Sequence, residues 1–218
     1  MSNVFVIGAT GKIGKRLGPM LVSASHNVTG LSRSSANDNW YQQNQVASVN
    51  GDIIDISVEE LSDLMAGHDV VVFSAGAAGS GLDRTQAIDG DGPVKVIEAM
   101  KRNNIRRLYL VSAFPEAGRK KDLGEGFEFY MEVKKQADAE VAATSLDWVI
   151  VRPGTLLDEE GDGAVSLGKA IPYGTVKRGN VAKVLASLID LPLIRREIIE
   201  LTDGDEAIDV ALSNFAKA

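Results

Sequence analysis

Tyr130 and Lys134 stand four positions apart in a stretch whose pattern predicts a helix over 127–144, and that spacing puts both on one helical face. A free phenol ionises near pH ~10, too high to exchange protons readily at neutral pH. A neighbouring ammonium stabilises the phenolate and lowers that value, which makes the pair a usable general acid and base. Tyr130 fits equally well as an amphipathic core residue beside Val133, Ala137 and Val141. Ser112, just past the apolar run 107–111, is placed to orient a substrate carbonyl or hydroxyl and complete a Ser/Tyr/Lys set. A second chemistry lies near the N-terminus, in Gly8-Ala9-Thr10-Gly11-Lys12-Ile13-Gly14. Glycines permit a tight turn and a close backbone approach to a pyrophosphate, and a helix that opens there supplies free N–H groups and a positive dipole end. A glycine triplet alone marks only a tight turn. Here it follows a β-rich run, Val4–Ile7, and precedes a predicted helix, Lys12–Ala24, the context in which nucleotide binding is the better reading.

The elements that position these groups alternate along the chain. Strands are predicted at Val4–Ile7, Asn27–Leu31, Val46–Val49, Val70–Phe73, Arg107–Val111, Trp148–Val151 and Ile198–Leu201. Between them fall helices at Lys12–Ala24, at Val58–Met65 with Ser57 and Glu60 as a capping box, up to about Asn103, at Phe127–Thr144, at Val181–Leu191 and at Ile208–Ala216. Continuous β-branched runs separated by helices describe a mostly parallel sheet covered on both faces. The fold expected is α/β, a doubly wound Rossmann fold in three layers and a single domain over 1–218. Two segments resist this scheme, 113–126 and 154–179. Both are rich in glycine and charge and both follow strand C-termini, the edge where ligands bind in open α/β sheets.

Composition bounds the function. Hydrophobic residues at 44% and charged residues at 24% are those of a globular chain rather than a disordered one. The absence of cysteine removes disulfides, thiolate nucleophiles and cysteine metal sites. Twenty-three Lys and Arg against 30 Asp and Glu give a net charge of −7, unsuited to gripping nucleic acid or an anionic membrane. With no signal-like start and no apolar run of spanning length, the expectation is a cytoplasmic chain that binds small molecules, monomeric by default. His26 and His68 have no partner at metal-ligand spacing and read as turn residues, and no metal site is expected.

The wide Gly-x-x-Gly-x-x-Gly spacing resembles that of the short-chain dehydrogenase/reductase superfamily, and more closely its small atypical branch of NAD(P)H-binding, biliverdin-reductase-B-like and NmrA-like proteins. The resemblance continues in Gly51-Asp52, Ser74-Ala75-Gly76, Val111-Ser112-Ala113, Tyr130-x-x-x-Lys134 and Val151-Arg152-Pro153-Gly154, in the family's order over nearly the whole chain. It implies a nicotinamide cofactor held by Gly8, Thr10, Gly11, Lys12, Ile13 and Gly14. Asp52 and Ile53 would border its adenine, Ser74, Ala75 and Gly76 would line its path, Lys134 would hold the nicotinamide ribose, and Pro153 and Gly154 would close the site. Where an acid at the end of the second strand would bind a ribose 2′-hydroxyl, this chain has Leu31-Ser32-Arg33-Ser34-Ser35. A guanidinium flanked by hydroxyls suits a 2′-phosphate, so NADP is expected in preference to NAD, with Ser32 and Arg33 as contacts. The alternatives are a solvated arginine and, for Asp52, a simple turn.

The resemblance implies an oxidoreductase in which Ser112, Tyr130 and Lys134 serve a small carbonyl, quinone, flavin or tetrapyrrole-like acceptor. Ser112 departs from the family in being followed by Ala113 and Phe114 rather than by further hydroxyls. Some atypical members dispense with the tyrosine and take the proton from solvent, in which case Ser112 matters more. A nucleotide-sugar epimerase or dehydratase and a non-catalytic NADP(H) sensor are the alternatives. The short stretch after Gly179 speaks against the first and the retained Tyr/Lys pair against the second. Phe114, Leu156 and Tyr173 are candidates for an apolar substrate wall, and Arg119-Lys120-Lys121 for a solvated loop or an anion contact.

Overall fold

In β1 (Asn3–Ile7) the side chains divide strictly by parity. Val4 and Val6 join one apolar cluster and Phe5 and Ile7 another, on opposite faces of the same sheet. The computed structural model, which describes residues 1–115, 117 and 122–217, repeats this division across the central strands. The chain runs through α1 (Gly14–Ser23), β2 (Asn27–Ser32), a 3-10 turn (Ser35–Asn37), α2 (Asp38–Gln43), β3 (Ala47–Asn50), α3 (Val58–Met65) and β4 (Val70–Phe73). It continues through α4 (Leu82–Thr85), a π turn (Gln86–Asp91), α5 (Gly92–Arg102), β5 (Arg107–Val111), α6 (Glu125–Ala142) and β6 (Asp147–Pro153). It finishes with β7 (Thr155–Leu157), β8 (Ala164–Gly168), β9 (Thr175–Lys177), α7 (Arg178–Asp190), β10 (Glu197–Asp203), β11 (Glu206–Ala207) and α8 (Ile208–Phe215).

The main sheet has the order β11-β8-β10-β6-β5-β4-β1-β2-β3. From β10 to β3 every pairing is parallel, with Val4 opposite both Val28 and Val70. Strands β8 and β11 add an antiparallel edge. Helices α1, α7 and α8 cover the face of Val4 and Val6 through Leu17, Leu185 and Leu212. Helices α3, α5 and α6 cover the other through Leu61, Met100 and Val141. The chain reverses its winding between β1 and β4, so a crevice opens at their carboxyl ends, the topological switch point.

The segment 154–179, which the periodicity leaves outside the scheme, holds three short strands. β7 and β9 pair parallel as a small second sheet, and β8 joins the main one. Their anchors, Val165 and Val176, are fully buried, but strands this short carry no readable alternation. The helix predicted up to Asn103 is in fact three pieces, with the π turn between α4 and α5 and Pro93 opening α5. The capping box of α3 is present: Glu60 N–H donates to Ser57 Oγ at 3.1 Å and Ser57 N–H to the Glu60 carboxylate at 3.0 Å. Replacing Ser57 with Ala should cost about 1 kcal/mol, read as a lower urea midpoint with an unchanged slope. An unchanged midpoint would show that α3 is held by packing alone.

Candidate active site

The glycine loop is built by backbone contact. Gly8 has φ +90°, and a β-carbon there would lie 2.5 Å from the Ala75 nitrogen. One at Gly14 would lie 2.2 Å from the Gly8 carbonyl oxygen, which accepts from Gly11 N–H at 2.9 Å. Ala9 and Ile13 anchor the loop in the core, so Thr10, Gly11 and Lys12 face outward. Among the described residues no backbone carbonyl accepts from the N–H groups of Thr10, Lys12 or Ile13, and α1 begins with no side-chain cap. These are the free donors that an anion at a helix N-terminus would use. Ser74 locks the loop to the end of β4, its N–H donating to Ile7 O at 2.8 Å and its hydroxyl to the same oxygen at 3.2 Å. The Lys12 ammonium reaches Asp158 at 2.7 Å, and Arg16 pairs with Glu160 at 2.9 Å.

At the end of β2, Arg33 is exposed, and among the described residues no carboxylate lies within ion-pairing distance of it. Ser32 is buried and its hydroxyl donates to Ser34 O at 2.9 Å, so it shapes the turn that carries Arg33 while the hydroxyls of Ser34 and Ser35 face outward. Asp52 likewise serves its own turn, accepting from Ile54 N–H at 3.0 Å. Lys95 donates to the carbonyls of Ile53 and Ile54 and holds that turn against α5.

Tyr130, Lys134 and Asp138 fall on successive turns of one face of α6, beneath the ends of β5 and β6. Lys134 is only 2% exposed; its ammonium donates to Val111 O at 2.9 Å and stands 3.5 Å from Asp89 of the π turn, itself 1% exposed. Asp138, at 4%, accepts from Arg152 Nε at 2.8 Å. Ser112, at 5%, faces the Asp138 carboxyl, yet its Oγ and Asp138 Oδ1 are both buried without a partner in bonding geometry. Burial pushes the Asp138 carboxyl above its usual value, and Ser112, Arg152 and Lys134 pull it partly back. The Tyr130 phenol is raised too, by burial first and then by the charges of Asp89 and Asp138. The expected lowering by Lys134 is therefore not found: burial raises the phenol most, and the carboxylates of Asp89 and Asp138 add to the rise.

Gly154 is required where it stands, since a β-carbon there would meet Gly174 O at 2.2 Å, and Pro153 ends β6 opposite Leu201. Phe114 is buried and meets the 44% exposed Tyr173 edge to face at 5.4 Å, with the Tyr173 hydroxyl bonded to Thr155. Leu156 packs on the core. His26 accepts from Ser2 N–H, and His68 contacts Met65 O and the Phe5 ring. Arg119, Lys120 and Lys121 lie outside the described residues. Asp89 and Asp138 were not singled out from sequence; Asp138 is readable as the next turn after Lys134, whereas Asp89 needs the π turn to bring it in.

A family model described as NAD(P)H-binding matches residues 8–192, which takes in the glycine loop, Arg33, Ser112 and the α6 face together. The chain belongs to the NAD(P)H-binding family. Among members of similar length, a Bacillus subtilis protein described as an uncharacterized sugar epimerase is 33% identical over 97% of this chain and 99% of its own. A solved Bacillus halodurans structure, provisionally described as an NAD-dependent epimerase/dehydratase, superposes with a TM-score of 0.88 at 29% identity, covering 98% of this chain and 100% of that one. A Lactococcus lactis structure described as an oxidoreductase gives 0.85 at 26% identity, covering 99% and 97%.

The NAD(P)H-binding family implies a nicotinamide cofactor, and the residues fit one. The cradle between Gly8, Gly14 and Ala75 admits no β-carbon, and the donors of Thr10, Lys12 and Ile13 are free to meet a pyrophosphate. Among the described residues no helix is long and apolar enough to cross a membrane. The raised phenol gives this family member a measurable pH signature. Tyr130, like Tyr41 and Tyr109, holds its proton more tightly folded than unfolded. That stabilisation is complete below the unfolded value near ~10 and is lost as pH rises beyond it. The melting temperature should fall above pH ~10, and Tyr130→Phe should make the fall shallower; an identical slope would place the phenol in water.

Proposed function

We propose that this chain is an NADP-dependent oxidoreductase that delivers hydride to a small carbonyl, quinone, flavin or tetrapyrrole-like acceptor. The observation that carries the reading is Arg33: an exposed guanidinium with no carboxylate partner among the described residues, at the strand end where a 2′-hydroxyl-binding acid would otherwise stand. When bound, the nicotinamide supplies the hydride. The glycine loop binds and neutralises the pyrophosphate through backbone donors, Arg33 takes the 2′-phosphate with the hydroxyls of Ser34 and Ser35 beside it, and Lys134 orients the ribose. The described residues of 113–126 (113–115, 117 and 122–126) and the segment 154–179 form the substrate side of a single cytoplasmic domain, with Phe114 and Tyr173 as its aromatic wall.

Ser112 orients the acceptor, and the proton comes from solvent. A phenol held above its usual value gives up its proton reluctantly. The same property opposes an epimerase, the activity named for some relatives, because Tyr130 would then have to act as a base on a sugar hydroxyl. Residues from Arg178 onward build β10 and β11 of the sheet and the helices α7 and α8 that cover one of its faces.

Following NADPH and NADH oxidation by absorbance against flavins, quinones, tetrapyrroles and aldehydes tests the reading. NADPH should bind more tightly than NADH, and Arg33→Ala should remove most of that preference, since a charged hydrogen bond contributes roughly 1.5–3 kcal/mol. Equal affinities in the unmodified protein reject the cofactor assignment, and binding without turnover on any acceptor supports a sensor. A tyrosine proton donor predicts a loss of about 10²–10⁴-fold in Tyr130→Phe; the present reading expects little change.

A further inference from the structure

Asp89 is a buried carboxyl, and the reading above gives it no part in holding the cofactor. The π turn is what turns it inward. Gly90 beside it sits so tightly against α6 that a β-carbon would come within 3.0 Å of Val133 Cγ1 and 2.8 Å of Gln86 Nε2. The two carboxylate oxygens go to different elements. Oδ2 accepts from the Ala77 N–H at 2.9 Å, in the loop leaving β4. Oδ1 stands 3.5 Å from the Lys134 ammonium on α6. The β4 loop is in turn bound to the glycine loop, through Ser74 to Ile7 O and through the backbone approach of Ala75 to Gly8.

We propose that Asp89 is a positioning residue for cofactor binding: one carboxylate holds the β4 loop with one oxygen and the Lys134 ammonium with the other, and so fixes the phosphate end of the site relative to the ribose end. The proposal rests on the nicotinamide reading. Asp89 touches neither cofactor nor substrate in this role and acts through Lys134 and Ala77. Its counter-charge also supports Lys134 at depth, because an ammonium this buried, left with the Val111 carbonyl and the more distant Asp138 carboxyl, would be costly to leave without its nearest counter-ion.

The test is a double-mutant cycle read as NADPH dissociation constants from fluorescence titration, for the unmodified protein, Asp89→Asn, Lys134→Gln and the double variant. The amide keeps an oxygen for Ala77 N–H and turns an uncharged –NH2 toward the ammonium, so the charge and the acceptor facing Lys134 are both removed. Asp89→Asn should weaken binding about tenfold or more, the scale of a lost charge-assisted contact. In the Lys134→Gln background the same change should weaken it far less, since there is no ammonium left to hold. Penalties that simply add, or a lower melting temperature with an unchanged dissociation constant, overturn the positioning role. Should Asp89→Asn alone fail to fold, the double variant, which buries no lone charge, is expected to fold. Its affinity then decides: equal to Lys134→Gln supports the proposal, weaker overturns it. Failure of the unmodified protein to bind NADPH is a separate outcome and removes the functional reading itself.

Discussion

Where β1 leaves the sheet, the backbone of Gly8 passes the backbone of Ser74 and Ala75 at a distance that leaves no room for a β-carbon. Much of the site follows from that contact. It forces the positive φ of Gly8, which turns the chain back so that α1 starts at Gly14 directly over the strand end. It brings the β4 loop against the glycine loop, where Ser74 can bond to Ile7. The parallel sheet supplies the rest, since parallel strands set the ends of β1, β4, β5 and β6 along one edge, and the groups that follow each strand become neighbours without being near in sequence.

Beneath that edge the protein concentrates buried charge. Asp89, Lys134, Asp138 and Arg152 alternate in sign, and each charge has an opposite one within reach. Such a chain of pairs is a weak source of net stability, because desolvation offsets much of the attraction. What it does provide is definition, since each side chain has few places to go. Two polar atoms remain unsatisfied inside it, Ser112 Oγ and Asp138 Oδ1.

How much of this could be read in advance depended on length and on distance along the chain. β4 and β5 are apolar runs that only a sheet buried on both faces accommodates, and the switch point follows from their alternation with helices. The glycine loop was legible because its spacing and its place between strand and helix agree. β7 and β9, three residues each, were not, since a period of two has no room to show itself. Tyr130 and Lys134 were visible as a pair, but the sign of their interaction was not. The phenol is raised first by its burial and then by the charges of Asp89 and Asp138, and Asp89 lies on another element and reaches α6 only through a π turn that no local pattern announces.

The pairs between Lys12 and Asp158 and between Arg16 and Glu160 join the phosphate loop to the segment 154–179. All but Arg16 are open to solvent, so water and salt weaken the attachment. An anion settling on the glycine loop competes with those carboxylates for the same two cations. Part of the electrostatic attraction that a phosphate would find there is therefore already taken up by the protein's own side chains. Rising ionic strength would therefore weaken both the attachment of this segment to the phosphate loop and the pull of the two cations on an anion.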